Sequence, residues 1–273
     1  MSSPVELAIE HVRSRASGPP MSDVLPVTLN FHPDTWVQDE LTIQRIVHDG
    51  FYRSQFETGT SNGGLTANLG GDRWAWESDI FGGAYDEADP ALRPKYGALN
   101  FRHDVIGGSP RFGSCHLRLR PHVLARTTFC YPDSHLIPET FGVVDRFALS
   151  DLTEENALAL DPVLDNYIEA HVHGPLSIKE DVEALVLDLS YRNTAIEEWA
   201  MRLTCDVEWH DGFRLQLDRL FAHDEFRPKP AIDAISELNI STPADLGKAR
   251  DNPLDYQTAK WVWHCIARFG RDH

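Results

Sequence analysis

The sequence predicts an α+β fold, on three observations. Segments that read as helices come first, strand-like segments cluster in the middle, and helices return at the end, with no regular βαβ alternation. The composition, 42% hydrophobic and 25% charged over 273 residues, is that of a globular chain able to bury a core without disulfides. No internal repeat or low-complexity linker divides it. One domain is expected, with a helical N-terminal extension over 1–50, a β-rich catalytic core over 51–193 and a helical C-terminal part over 194–273.

The elements follow in order. Residues 4–14 form a short amphipathic helix, closed by Ser17-Gly18-Pro19-Pro20. A second helix is predicted over 34–48, with Asp34 as N-cap and Asp49-Gly50 as its end. Phe51 to Phe56 reads as a strand, followed by a Gly-rich stretch over 59–71. Trp74 to Tyr85 reads as an aromatic and glycine loop. Strands are expected over 96–101, 115–119, 123–131, 167–172 and 182–187, and a helix over 150–164. From 194 onward the pattern is helical, ending with a helix over 256–269 that stops at Gly270.

Charge and cysteine content narrow the function classes. A net charge of -17 argues against a duplex nucleic-acid binder, which needs Lys and Arg to neutralise phosphates. The charge is uneven, however. Residues 91–130 carry seven Arg or Lys against Asp104, whereas 151–198 carry twelve acids against Lys179 and Arg192. One part can cradle an anionic ligand and the other can face a basic partner, or both are plain solvated surfaces. No run approaches the ~20 apolar residues of a membrane span, and the N-terminal segment lacks the apolar core of a secretory signal. The cysteines Cys115, Cys130, Cys205 and Cys265 form no CxxC pair and suit a reducing cytoplasm.

Candidate site residues come from strand periodicity. Alternation over 167–173 sends Ile168, Ala170 and Val172 one way and Tyr167, Glu169, His171 and His173 the other. A carboxylate flanked by imidazoles suits acid–base work or charge stabilisation; the bland alternative is an exposed polar face. Glu183, two residues after Asp181, opens an apolar strand. Arg53, between aromatic residues and ahead of a Ser/Asn/Gly stretch, has the planar fork that grips phosphates. Ser54, Ser61, Asn62 and Gly63 can approach the same ligand, and Thr127 and Thr128 can brace a carboxylate or touch a ribose. Thr in a strand more often reflects β propensity alone. Neither a Walker A loop nor GxGxxG is present. The His171-x-His173 pair also allows a hydrolytic metal, with His210, Asp211, His223 and Asp224 as further donors at no fixed spacing.

Seven blocks then carry a resemblance: YRSQFETGTSNGGLTA (52–67), WExxxFGGAYD (76–86), RPKYGALN (93–100), HLRLRP (116–121), RTTF (126–129), YIEAHVHGPL (167–176) and DVEALVLD (181–188). Over about residues 40–270 the chain resembles the CteC-like bacterial effectors, a family formerly known only as a domain of unknown function. The resemblance implies an ADP-ribosyltransferase-like split β-sheet core with helical extensions. It implies a toxin-like effector, made in the cytoplasm and delivered into a host cytosol, that transfers ADP-ribose from NAD to a threonine of ubiquitin and blocks ubiquitin signalling. ADP-ribosyltransferases order an Arg or His, a Ser/Thr strand and a Glu. Arg53, then Thr127-Thr128, then Glu169 or Glu183 meet that order. No strict E-x-E stands at either acid, which favours a hydroxyl acceptor over arginine.

The implied chemistry is glycosidic cleavage. Arg53 neutralises the pyrophosphate, Tyr52 or Phe56 stacks on nicotinamide, and the glutamate steadies a cationic ribose. His171 and His173 then take the acceptor's proton. No resident metal is expected on this reading. The alternatives are a metal-dependent hydrolase on His171 and His173, and a non-catalytic protein-binding relative.

Overall fold

A computed structural model describes residues 2–59, 66–136, 138–156, 160–250 and 254–271. The strands β1 (Val27–Phe31), β2 (Lys95–Leu99), β3 (Cys115–Leu119), β4 (Thr127–Tyr131), β5 (Thr140–Val143), β6 (Ile168–Val172), β7 (Val182–Asp188) and β8 (Asp206–His210) form one sheet. Their spatial order is β8-β7-β3-β1-β2-β6-β4-β5. All neighbours are antiparallel except β7 and β8. The longer helices are α1 (Pro4–Arg15), α2 (Thr42–Asp49), α3 (Asp72–Ile80), α4 (Leu149–Glu155), α5 (Ala195–Ala200), α6 (Lys229–Glu237), α7 (Pro243–Arg250) and α8 (Tyr256–Phe269). The fold is α+β. Among the described residues no helix is long and apolar enough to cross a membrane.

Several elements differ from expectation. The eight strands are continuous, where a split sheet was expected. The segment 1–50 is not a purely helical extension, because β1 lies inside it and pairs with both β2 and β3. This placement needs Gly97 in β2, since a Cβ there would sit 2.4 Å from the Thr28 carbonyl oxygen. The helix expected over 34–48 begins only at Thr42, after a hairpin of Trp36–Val37 and Glu40–Leu41. Asp34 does not cap it. Its carboxylate is buried and accepts from Tyr191 (2.8 Å) and Arg250 (3.0 Å).

The strand expected over 51–56 stops at Tyr52, because Ser54 caps a helical turn over Gln55–Thr58. The strand expected from 123 starts at Thr127, after a 3₁₀ turn over Pro121–Arg126. The helix expected over 150–164 spans Leu149–Glu155. Trp74 to Ile80 lies in α3, not in a loop. The C-terminal part contributes β8 to the sheet edge.

Three apolar clusters set the layers. Leu29, Leu117, Ile168, Ala170, Val172 and Leu185 pack with Ile43 of α2 and Ile196 of α5. Ala8 and Val12 of α1 pack with Ile80, Phe81 and Tyr85 against Cys130 and Phe141 of β4 and β5. Trp263 of α8 organises the C-terminal helices and donates to the Pro110 carbonyl at 2.9 Å.

Candidate active site

Side chains on β6 alternate as the sequence predicts, but both faces are buried. Ile168, Ala170 and Val172 enter the main core, while Glu169 and His171 lie beneath α3 and the turn after it. The Phe81 ring meets His171 and His173 edge-on, at 5.5 and 5.1 Å, and Trp76 meets His171 at 5.4 Å. Burying an aromatic ring of this size contributes roughly 1.5–3 kcal/mol, so the cover is stable and the polar stripe is not a solvated surface.

Buried polar groups must find partners, and these do. Glu169 Oε2 accepts from the Ser134 amide (3.3 Å) and hydroxyl (3.1 Å). Its Oε1 meets His171 Nε2 at 2.9 Å. Thr128 Oγ1 lies 3.2 Å from His171 Nδ1 and 2.9 Å from His173 Nε2, and His173 Nδ1 meets the Tyr85 hydroxyl at 2.7 Å. Burial pushes the Glu169 carboxyl up. The His171 hydrogen bond, the Arg73 charge and the Ser134 amide outweigh this, and its pKa falls below the usual carboxylate value.

Glu169 also lines a cavity of about 490 Å³, within the size range of small-molecule sites. Its wall carries Arg45, Arg53, Arg73, Lys95, Arg111 and Lys260 against Asp49, Asp133 and Glu169. Phe51, Tyr52, Tyr96 and Tyr256 supply ring surface. The wall is therefore cationic in a chain whose net charge is -17. Arg73 Nε and Ser109 Oγ are buried there without a hydrogen-bond partner among the described residues. The Arg73 guanidinium lies 4.3 Å over the Tyr96 ring, and its Nη1 donates to Ser134 Oγ at 3.2 Å. Lys95 is not a free nucleophile. Its three N–H groups go to the Ala91, Arg93 and Gly174 carbonyls, and burial draws its pKa down to about 8.

Arg53 and Glu169 both line this one cavity. Arg53 is already matched, however, by Asp49 at 3.0 Å and Glu57 at 2.9 Å. Glu183 lies elsewhere: it pairs with Arg118 (3.2 Å), which also grips Glu208, beside a separate hollow of about 210 Å³. Ser54 is a helix cap whose hydroxyl donates to the Pro90 carbonyl. Thr127 Oγ1 donates to the Val123 carbonyl, and neither Thr127 nor Thr128 lines the cavity. Ser61, Asn62 and Gly63 fall outside the described residues. Tyr52 reaches the cavity, whereas Phe56 packs under the Arg93 guanidinium.

The two imidazoles are fully buried and off the cavity wall, so neither takes a proton directly from a bound acceptor. They converge instead on the Thr128 hydroxyl, to which both turn a nitrogen, while His210 binds the Ser114 carbonyl and His223 stacks on Phe269. Cys130, Glu169 and His171 do come within 4.8 Å of one another. There, Glu169 and His171 bond directly to each other at 2.9 Å, beside the Arg73 charge.

Sequence reasoning missed Arg73, Tyr96 and Ser134. The available signal for Arg73 was its place four residues before Glu77 in an aromatic helix.

A family model described as "Protein of unknown function (DUF3626)" matches residues 26–156 and 149–238. The chain belongs to this family. Of the cavity wall, only Tyr256 and Lys260 on α8 lie beyond the DUF3626 match. No curated protein matches the chain.

Proposed function

We propose that this DUF3626 protein is a mono-ADP-ribosyltransferase that uses NAD and modifies a threonine hydroxyl of ubiquitin. The observation that carries the reading is the single cationic cavity shared by Arg53 and Glu169. Its charge suits a pyrophosphate, and its rings suit two flat heterocycles. The ubiquitin acceptor and delivery as an effector rest on the motif resemblance.

In this reading Arg53 at the rim and Arg73 within the wall share the pyrophosphate. Glu169 accepts the ribose 2′-OH. As the bond from C1′ to nicotinamide breaks, its electron pair leaves with nicotinamide. The carboxylate then offsets the positive charge that develops on the sugar. The acceptor oxygen bonds to C1′ and its proton passes to Glu169 or to water.

The test is incubation with NAD and ubiquitin, read as a mass gain of one ADP-ribose on ubiquitin and mapped to its residue. Transfer to ubiquitin that is lost with Glu169→Gln supports the reading. Stabilisation by NAD of about 2.7 kcal/mol at 100 Kd without transfer to any protein identifies a non-catalytic relative instead. No stabilisation and no transfer overturns the proposal.

A further inference from the structure

The four bonds that lead away from Glu169 have one consistent proton arrangement. A carboxylate only accepts, so His171 Nε2 carries the proton of their 2.9 Å bond. Thr128 then donates to His171 Nδ1, the direction that the Tyr85 end of the file requires. Having spent its one proton, the Thr128 oxygen accepts from His173 Nε2. Burial, with the charges of Arg126 and Lys95, holds His173 far below the usual imidazole pKa, so it carries one proton only. Its Nδ1 is the acceptor for the Tyr85 hydroxyl. The reverse order would make His173 Nδ1 the donor to Tyr85. The Tyr85 hydroxyl proton would then be stranded, because His173 is its one hydrogen-bond partner among the described residues and the side chain is fully buried.

We propose that Tyr85, His173, Thr128 and His171 form a one-way hydrogen-bond file that holds Glu169 as an aimed anion at the cavity wall. Aligned bonds polarise one another, and the last is charge-assisted. The file is not a proton wire to solvent, since it ends on a fully buried phenol. Glu169 is faced by Arg73 from α3, Tyr96 from β2, Cys130 from β4, Asp133 and Ser134 from the following loop, and Tyr167 just before its own strand, with Glu77 behind Arg73 and Tyr96. Ser134, itself held by Arg73, donates to Oε2, and among the described residues the file alone bonds Oε1. His171, Thr128, His173 and Tyr85 are thus positioning residues for the carboxylate. The inference takes Glu169 from the proposed function, but its test reads the file itself.

The experiment is ¹⁵N-histidine NMR of the full chain at neutral pH, with His171 and His173 assigned by His171→Gln and His173→Gln. The expected spectrum shows both rings neutral and protonated at Nε2. Tyr85→Phe removes the terminal donor without touching Glu169 or His171. It is expected to move His173 toward the Nδ1–H form and to weaken the His171 Nε2–H signal two bonds away. Thr128→Val is expected to uncouple the rings, so that Tyr85→Phe no longer affects His171; Thr128→Ser is expected to restore the coupling. An Nδ1–H tautomer or imidazolium at either ring in the wild type overturns the file. So does a His171 signal indifferent to Tyr85→Phe in a folded protein. Should Thr128→Val fail to fold, the Tyr85→Phe and Thr128→Ser spectra decide alone. Absent transferase activity with the expected spectra defeats only the proposed function; activity with the wrong tautomers defeats only the file.

Discussion

Glu77 and Arg93 meet at 2.6 Å with both side chains buried, and this pair fastens α3 over the polar face of the sheet. The second Glu77 oxygen accepts from Tyr96 at 2.6 Å, and Arg93 also donates to the Tyr85 carbonyl. Burial pushes the Glu77 carboxyl up against the pull of Tyr96 and Arg93. Removing one partner leaves an uncompensated buried charge, which costs about 3–5 kcal/mol. Arg93→Ala is therefore expected to lower unfolding stability by that amount in a urea titration. A loss below about 1 kcal/mol would show that α3 is held by apolar contacts alone.

The two candidate glutamates are expected to behave differently. Glu169→Gln should reduce NAD-dependent transfer by roughly 10²–10³, the scale for losing one preorganised electrostatic group. Glu183→Gln should leave the rate within about twofold, as expected for an exposed ion pair with Arg118. Equal losses in both variants, measured as initial rates, would contradict the cavity assignment.

The two arginines should also separate. Arg53 shares its charge with Asp49 and Glu57, whereas Arg73 spends one hydrogen bond on the Ser134 hydroxyl and has a bare Nε. A hydrogen bond to a charged group contributes about 1.5–3 kcal/mol. Arg73→Ala should thus weaken NAD binding at least about tenfold by calorimetry, and Arg53→Ala by clearly less. The opposite ranking would return the phosphate role to Arg53.

Acid sensitivity follows from the histidines. His32, His173, His116, His210 and His264 all have pKa values lowered first by burial, to about 3 for His116 and about 2 for His264. The unfolded chain protonates them near 6.5 and the folded chain does not. Stability is complete above about pH 6.5 and is lost as pH falls below it, by about 1.4 kcal/mol per pH unit for each group. The four held well below that value, His32, His116, His173 and His264, exhaust a typical 5–15 kcal/mol within about two pH units. The depressed Glu169 works in the same direction only at lower pH, below its unfolded value of 4.5. Circular dichroism should show unfolding near pH 5; a fold intact at pH 3 would contradict the buried neutral histidines.

Much of the sheet was legible because period-two alternation is a local property. The strand over Cys115–Leu119 and the helix over Tyr256–Phe269 match the sequence reading end for end. The Glu169 stripe was legible for the same reason. Its burial was not, because it depends on a distant helix whose Arg73, Trp76 and Glu77 are polar or aromatic and give no clear apolar period. Glu183 looked eligible because strand position says nothing about which cavity a strand mouth meets. Arg53 was read on a strand, where Glu57 four residues on would lie out of reach; the turn that Ser54 starts brings Glu57 back to it, while Asp49 reaches it from the end of α2.

β1 has a consequence for dissecting the protein. It is the one strand that joins β8-β7-β3 to β2-β6-β4-β5. A fragment cut at Phe51, which a reading of 51–193 as a self-sufficient core would recommend, loses it and leaves two half-sheets. Each would present an apolar margin of unpaired amides and carbonyls, the template on which chains aggregate.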